Sequence, residues 1–359
     1  MGLLPLQRLS PERFDTAPIL RRLNVASRHL AELKGVAASI PNQDILISTL
    51  TLQEARDSSA IENIVTTQDD VYRQEDPADA AGTAVKEVLR YRQALRAGYA
   101  QVRASGLLTL NTILGIQAQL ECNRAGFRRL PGTALRDGAG RVVYEPPQDP
   151  NEVVRLMGEL ERFIHDEPAD AIDPLVRMAL IHHQFESIHP FYDGNGRTGR
   201  IVNVLYLVKE RLLDIPVLYL SRHIVRNKPD YYRLLQAVRD EDAWEDWVIY
   251  MLDAVANTAA ETVETIHAIR GLLHATKQRI RAGYKFYSQD LINNLFNHPY
   301  TRVEFVQREL GVSRVTATRY LDLLAADGLL EKRRVGRNNY YVNRPLFELL
   351  SRGDMRASA

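Results

Sequence analysis

The chain of 359 residues has a single cysteine and no excess of charge, because 46 lysines and arginines stand against 45 aspartates and glutamates. The lone Cys122 excludes an internal disulfide framework and a zinc site built from cysteines. The near balance of charge excludes a basic field over the whole surface, so any contact with nucleic acid would need a local patch. No run of about 18 apolar residues occurs, and we therefore expect no membrane span.

The first residues, Met1 to Arg8, contain neither a basic nor a long apolar segment of the kind that secretory signals use. Position 6 is leucine, where a myristoylation pattern needs serine or threonine. A single cysteine is typical of a reducing compartment, and the sequence thus predicts a cytoplasmic protein. Hydrophobic residues at 45% and charged residues at 25% are ordinary for globular chains of roughly two or three domains.

Apolar residues recur at helical spacing along most of the chain, which predicts a mainly α fold. Helices are expected over Ile45 to Ala55 and, as a short separate element with two candidate capping residues, over Asp57 to Asn63. The segment Asp76 to Asp79 is typical of a linker. In contrast, Phe127 to Pro147 combines turn residues with short β-prone pieces, and it predicts a β-hairpin with Asp137-Gly138 at its tip.

The loop His189 to Arg200, HPFYDGNGRTGR, holds the densest set of chemically useful residues. Its span Gly194 to Gly199 matches the dinucleotide pattern G-x-G-x-x-G. That pattern needs a preceding strand and a carboxylate about 20 positions later, whereas here a helical segment precedes it and Val217 to Leu220 follows. We therefore expect a loop between two helices that binds another anionic ligand.

The residue types in this loop suit a polyphosphate. Gly194 and Gly196 let backbone N–H groups turn toward an anion at the start of the second helix. Arg197 and Arg200 lie three positions apart, so both guanidinium groups can reach phosphates from one side of that helix. Asp193, at the edge of the loop, can hold Mg²⁺ between phosphate oxygens.

His189 is the only side chain of the loop whose ordinary pKa lies near neutrality, so it can accept a proton from an incoming hydroxyl. The complete pattern HPFxDGNGRxxR over His189 to Arg200 resembles the Fic motif, with no position missing. The likeness covers residues 10–275 and includes a flap hairpin at Phe127 to Pro147 and the segments Leu218 to Ser221 and Asp230 to Arg233.

The resemblance implies an enzyme that transfers AMP from ATP to a Ser, Thr or Tyr hydroxyl of a protein, which could be itself, and releases pyrophosphate. It makes His189 the catalytic base and Asp193 the Mg²⁺ ligand. The implied ATP-binding residues are Gly194, Asn195, Gly196, Arg197, Thr198, Gly199, Arg200, Tyr231 and Tyr232. UTP as an alternative donor stays open.

Individual roles also follow from the resemblance. The glycines and Asn195 line an anion hole, with Asn195 at the α-phosphate, while Arg197 and Arg200 take the β- and γ-phosphates. Tyr231 and Tyr232 fall where the family packs the nucleobase, although either could equally be a core residue. One departure concerns the flap, because Pro131-Gly132 weakens the strand that grips the target.

The segment Ser58 to Asn63, SSAIEN, resembles the Fic inhibitory motif [S/T]-x-x-x-E-[G/N] in the class with an N-terminal inhibitory helix. The resemblance implies that Glu62 pairs with Arg200 and occupies the charge meant for the γ-phosphate, with Ser58 orienting the helix. The alternative is an ordinary capped helix. Removal of AMP from the target, with Glu62 orienting a water, also stays open.

Residues 301–344 predict a helix-turn-helix with Gly311 in the turn, followed by a hairpin wing, and resemble a winged-helix domain. Nine basic against five acidic side chains give this unit local positive charge. DNA binding is one expectation, with Arg333, Arg334 and Arg337 at phosphates. A protein-contact or dimerisation role is the other.

The sequence thus predicts N-terminal helices with the inhibitory motif over 1–75, a Fic-type helical core with a β-hairpin flap over 76–282, a small winged-helix domain over 283–345 and a tail over 346–359. The expected partners are ATP and a protein target, with a homodimer or DNA left open and no membrane. The alternative function is a DNA-binding transcriptional regulator with a nucleotide-sensing Fic core.

Overall fold

The computed structural model describes residue 3 and residues 5–74, 82–165, 172–335 and 338–355. The predicted linker Asp76 to Asp79 and the predicted wing residues Gly336 and Arg337 lie outside these ranges. Inside them, no helix combines the length and apolar character that crossing a bilayer requires.

The mainly α fold is confirmed. The helices are α1 (Ala17–Ala38), α2 (Asp44–Ile61), α3 (Gln68–Tyr72), α4 (Thr83–Ser105), α5 (Leu110–Glu121), α6 (Pro150–His165), α7 (Pro174–Ile188), α8 (Asn195–Lys209), α9 (Leu220–Arg226), α10 (Lys228–Glu241), α11 (Trp244–Gly283), α12 (Gln289–Asn297), α13 (Val303–Leu310), α14 (Arg314–Ala326) and α15 (Arg344–Met355). The strands are β1 (Leu135–Arg136), β2 (Val142–Tyr144), β3 (Tyr300–Thr301), β4 (Glu331–Val335) and β5 (Asn338–Val342).

Two consecutive helices, α7 and α8, form the centre of the core. Asp173 caps α7, since its Oδ1 accepts the Leu175 N–H at 2.8 Å, and Pro174 occupies the first turn. Every residue from Leu175 to Ile188 is buried, because neighbouring helices cover α7 on all sides. The carboxyl end of α7 and the amino end of α8 consequently meet at the glycine-rich loop in a fixed position.

The predicted short helix over Asp57 to Asn63 is wrong as a separate element, because Asp57 to Ile61 form the end of α2, and Glu62 and Asn63 form the turn that follows it. No proline or glycine interrupts the segment. The Ser59 hydroxyl, a candidate cap in sequence terms, donates instead to the Ala55 carbonyl at 2.8 Å, four residues earlier in the same helix. Burial of nearly all of α2 then favours one continuous helix over two short ones.

The hairpin predicted over Phe127 to Pro147 is present but short. β1 and β2 pair antiparallel, and the Asp137 carboxylate accepts the N–H groups of Ala139 and Arg141 at 2.9 Å, which fixes the turn. Pro131 and Gly132 precede the strand rather than joining it, as their weak strand preference predicts.

The C-terminal unit contains α12 to α14 and an antiparallel sheet in the order β3-β5-β4. Its helix, turn, helix and hairpin follow the order that the sequence predicts. The tail expected over 346–359 is wrong at its start, because α15 extends to Met355 and buries Leu346 and Leu350. α12 packs on α2, and α15 packs on α11, so the C-terminal unit lies against one N-terminal helix and the last helix of the core.

Candidate active site

Local hydrogen bonds hold the loop between α7 and α8 in shape. His189 ends α7 in the left-handed region with φ 48°, and its N–H donates to the Phe185 carbonyl at 3.0 Å. The Asn195 side chain accepts the Phe191 N–H at 2.8 Å and donates to the Phe191 carbonyl at 2.9 Å. Gly194, with φ 78°, makes the turn into α8. Asn195 therefore shapes the loop through its side chain rather than offering that side chain to a phosphate.

His189 has the properties of a base. Burial, together with the cations Arg128 and Arg239, lowers the pKa of its imidazole to about 4. The ring is consequently neutral near pH 7 and able to accept a proton. Arg128 also fixes the backbone here, since its Nε donates to the His189 carbonyl at 2.8 Å and its N–H donates to the Pro190 carbonyl at 2.9 Å.

The amino end of α8 is an anion site that a carboxylate already approaches. A side chain at Gly196 would collide with the carboxylate of Glu62, so glycine is needed for this close approach. The helix dipole and the free N–H groups of the first turn attract negative charge. Glu62 therefore lies where a phosphate group could otherwise bind.

Arg200 is the main partner of Glu62, as the sequence resemblance implied. Its Nη2 donates to Glu62 Oε1 and to the Ser58 carbonyl at 2.8 and 2.9 Å, and its Nε donates to Ser58 Oγ at 2.8 Å. The Arg200 side chain is 1% exposed, and that of Glu62 is 36% exposed. Burial raises the pKa of Glu62, but the charge and hydrogen bond of Arg200, together with the charges of Arg197 and Lys228, lower the pKa below its ordinary value. The carboxylate is therefore ionised.

Arg197 is placed elsewhere. Its guanidinium donates to Glu87 of α4 at 2.8 Å and to Glu121 of α5 at 2.7 Å, and it does not line the cavity that contains Arg200. Of the two arginines that the sequence predicts to bind phosphates, Arg200 lines this cavity and Arg197 does not. Thr198 and Gly199 are also buried, where a side chain at Gly199 would collide with Phe185 and Glu186.

Asp193 lies exposed at the rim of the loop, where its Oδ1 accepts the Gly194 N–H at 2.7 Å. One carboxylate at the edge of a phosphate site fits Mg²⁺, which usually takes one or two carboxylates together with substrate phosphates. The described residues contain no cluster of three or more metal-binding side chains that could hold a cation without such phosphates.

A cavity of about 810 Å³ lies between the end of α2, the loop after α7, the flap hairpin and α10. Its lining includes Glu62, Gly196, Arg200, His189, Leu135, Val143, Lys228, Tyr231, Tyr232, Leu235 and Arg239. Tyr231 is only 2% exposed and its hydroxyl lies 2.8 Å from His182 Nε2, so it belongs to the core as much as to the cavity. Tyr232 is 47% exposed and offers an aromatic face.

The sequence analysis missed Glu186 and Lys228, which also line the cavity. Burial raises the pKa of Glu186 to about 7, while Arg200 opposes that shift. Its position in the last turn of α7, three residues before His189, was a usable signal. Lys228 gave none, because its contacts are with residues far away in the chain.

Three family models match the chain. They are described as "Fic/DOC family N-terminal" over residues 20–100, "Fic/DOC family" over 107–207, and "Protein adenylyltransferase SoFic-like, C-terminal domain" over 272–346. The chain belongs to the Fic family. The third match places the C-terminal unit, with its helices and small sheet, among domains that accompany a Fic core.

Curated Fic relatives match about a third of the chain. "Protein adenylyltransferase fic-1" of Caenorhabditis elegans is 32% identical over 115 residues, 30% of this chain and 22% of the relative. "Protein adenylyltransferase Fic" of Drosophila yakuba is 31% identical over 129 residues, 36% of this chain and 25% of the relative. The match thus spans about a quarter of the length of these relatives.

Solved Fic structures share the fold. A Fic family protein from Desulfovibrio desulfuricans aligns with a TM-score of 0.58 at 22% identity, over 91% of this chain and 96% of that chain. Fic-1 from C. elegans aligns with a TM-score of 0.54 at 18% identity, over 71% and 74% of the two chains.

Proposed function

We propose that this chain is a protein adenylyltransferase that transfers AMP from ATP to a hydroxyl side chain of a protein and is held inactive by Glu62. The observation that carries the proposal is the cavity in which a neutral His189 and a buried Arg200 face the amino end of α8. The names of the curated relatives agree with this chemistry. A cavity of about 810 Å³ falls in the range of small-molecule sites.

The placement of the residues supports the following reaction. His189 takes the proton of the target hydroxyl, whose oxygen attacks the α-phosphorus of ATP. The bond from that phosphorus to the oxygen bridging to the β-phosphate breaks, and pyrophosphate leaves. The N–H groups at the start of α8 stabilise the charge on the α-phosphate, and Arg200 holds the γ-phosphate. Asp193 would hold Mg²⁺, which when bound neutralises charge on the triphosphate.

The same geometry supports the proposed inhibition by Glu62. As long as Glu62 pairs with Arg200, the γ-phosphate would meet a carboxylate where it needs a cation. ATP would then bind with its phosphates displaced from the line of attack. The close approach of Glu62 to Gly196 adds repulsion at the amino end of α8.

The basic groups of the C-terminal unit support a packing role more than a DNA-binding one. Three of them pair with carboxylates inside the unit: Arg314 with Glu304, Lys332 with Asp322 and Arg333 with Glu331. Arg333 and the Tyr300 hydroxyl also contact Asp69 of α3. Basic side chains that are paired in this way attract the phosphate backbone of DNA less strongly.

The test is intact-protein mass spectrometry of the Glu62→Gly protein with MgATP, alone and with His189→Ala added. We expect an added AMP in the first protein and none in the second, while ATP binding measured by calorimetry persists. His267→Ala, at an exposed histidine of α11, is the matched control and should label normally. Near-normal labelling after His189→Ala would overturn the mechanism, and parallel reactions with UTP, GTP and CTP identify the donor.

A further inference from the structure

The end of α2 has a defined geometry that carries Glu62 to Arg200. The Ser59 carbonyl accepts the N–H groups of Glu62 and Ile64 at 3.0 Å, and the Ala60 carbonyl accepts the N–H of Asn63 at 3.0 Å. Asn63 adopts the left-handed conformation with φ 62°. This is the Schellman arrangement, in which a left-handed residue turns the chain away directly after the helix. The side chain of Glu62 therefore follows the position of this backbone turn.

A second cation contacts that turn from another helix. Lys228, the first residue of α10, donates from Nζ to the Ile61 carbonyl at 2.6 Å and to Asn63 Oδ1 at 3.2 Å. The last carbonyls of a helix have no partner within the helix and carry partial negative charge, so an ammonium group there is favourable. Lys228 thus donates hydrogen bonds to both neighbours of Glu62, namely the backbone carbonyl of Ile61 and the side chain of Asn63.

Two cations from different helices hold the inhibitory turn. Arg200 of α8 binds the carboxylate of Glu62 and the backbone of Ser58. Lys228 of α10 binds the residues on either side of Glu62 and lines the same cavity. Because the Glu62 side chain is 36% exposed, Arg200 does not enclose it, and the position of the backbone decides how long the carboxylate stays in place.

We propose that Lys228 is a positioning residue for inhibition, which keeps Glu62 on Arg200 by fixing the end of α2. This inference rests on the proposed function, because it names a residue that regulates the same site. Loss of the ammonium group removes a charge-assisted hydrogen bond from the turn and lets Glu62 leave Arg200 more often. Self-modification should then rise about threefold to tenfold, which is less than the rise after Glu62→Gly.

The experiment compares initial rates of self-modification by intact mass in wild type, Lys228→Met, Glu62→Gly and the double variant. Lys228→Met should raise the rate, the double variant should equal Glu62→Gly, and Lys228→Arg should restore inhibition at least in part. Lys209→Met is the matched control, since Lys209 makes the same type of contact, Nζ to the Ile164 carbonyl at 2.8 Å, at the end of α6. It should leave the rate unchanged.

Hydrogen exchange provides a readout that does not depend on catalysis. Amides of residues 59–64 should exchange faster in Lys228→Met than in wild type or Lys209→Met, with little change in the melting temperature. Lys228→Gln serves the same purpose if the methionine variant does not fold.

The outcomes separate the inference from the proposed function. No labelling of Glu62→Gly would contradict the proposed function, whereas a labelled Glu62→Gly beside a Lys228→Met that behaves like wild type would overturn the inference alone. A lower rate in the double variant than in Glu62→Gly would also overturn it, because Lys228 would then serve the nucleotide rather than the inhibitory turn. Unchanged exchange over residues 59–64 counts against it in every case.

Discussion

Replacement of Glu62 by glycine removes the ion pair between Glu62 and Arg200 and so tests whether this pair inhibits the enzyme. Arg200 keeps its two bonds to Ser58, so the guanidinium stays in place, but it loses the bond of 2.8 Å to the carboxylate. A hydrogen bond between charged groups contributes about 1.5–3 kcal/mol. Because the Glu62 side chain is 36% exposed, solvent screening reduces the contribution to about 1–2 kcal/mol. If the γ-phosphate must displace this contact, its loss raises the rate about fivefold to thirtyfold.

The assay is the initial rate of AMP incorporation, followed by intact mass with saturating MgATP. Arg200→Ala in the Glu62→Gly background should cancel the gain, because no cation is then left for the γ-phosphate. Glu62→Gln, which keeps the size of the side chain and removes its charge, should give an intermediate rate. An unchanged rate in a folded Glu62→Gly protein would refute the reasoning and leave the segment from Ser58 to Asn63 as an ordinary helix end.

Two further predictions concern pH and packing. Burial lowers the pKa of His189 from an ordinary 6.5 to about 4, so the imidazole stays unprotonated through neutral pH. The rate at which the Glu62→Gly protein labels itself should therefore fall through protonation of His189 only as the pH approaches about 4. A fall centred near pH 6.5 would show an exposed imidazole. Leu350→Ala, at a side chain 1% exposed in α15, should cost about 2–4 kcal/mol of stability and lower the melting temperature, whereas Leu323→Ala, at a side chain 43% exposed in α14, should have little effect. Equal melting temperatures for the two variants would contradict the packing of α15 in the core.

Much of the site could be predicted because its residues are consecutive. His189 to Arg200 join the end of one helix to the start of the next, and short-range geometry alone brings the base and the anion-binding N–H groups together. The pairing of Glu62 with Arg200 spans 138 positions and was predictable only from the resemblance to a known motif. The contacts of Arg197 with Glu87 and Glu121 depend on how α4 and α5 pack beside α8. The residues near Arg197 in the sequence do not indicate that packing.

The error in α2 has a similar cause. Aspartate and serine at positions 57–59 are good capping residues, and local preference favoured a break there. Packing of α2 against α4, α9 and α12 buries almost the whole helix, and the free energy of that burial exceeds the preference of a few side chains. Local signals thus predicted helix for this segment but missed that Asp57 to Ile61 continue α2.

The burial of Arg200 links the proposed inhibition to the stability of the fold. A guanidinium 1% exposed to solvent is unfavourable unless an anion accompanies it, and in the resting protein that anion is Glu62. A triphosphate can take over this role, because it also presents negative charge to Arg200. The carboxylate therefore neutralises a cation that the reaction needs and that the core could not otherwise hold. From this it follows that Glu62→Gly should lower the melting temperature of the free protein, and that MgATP should stabilise the variant more than it stabilises wild type.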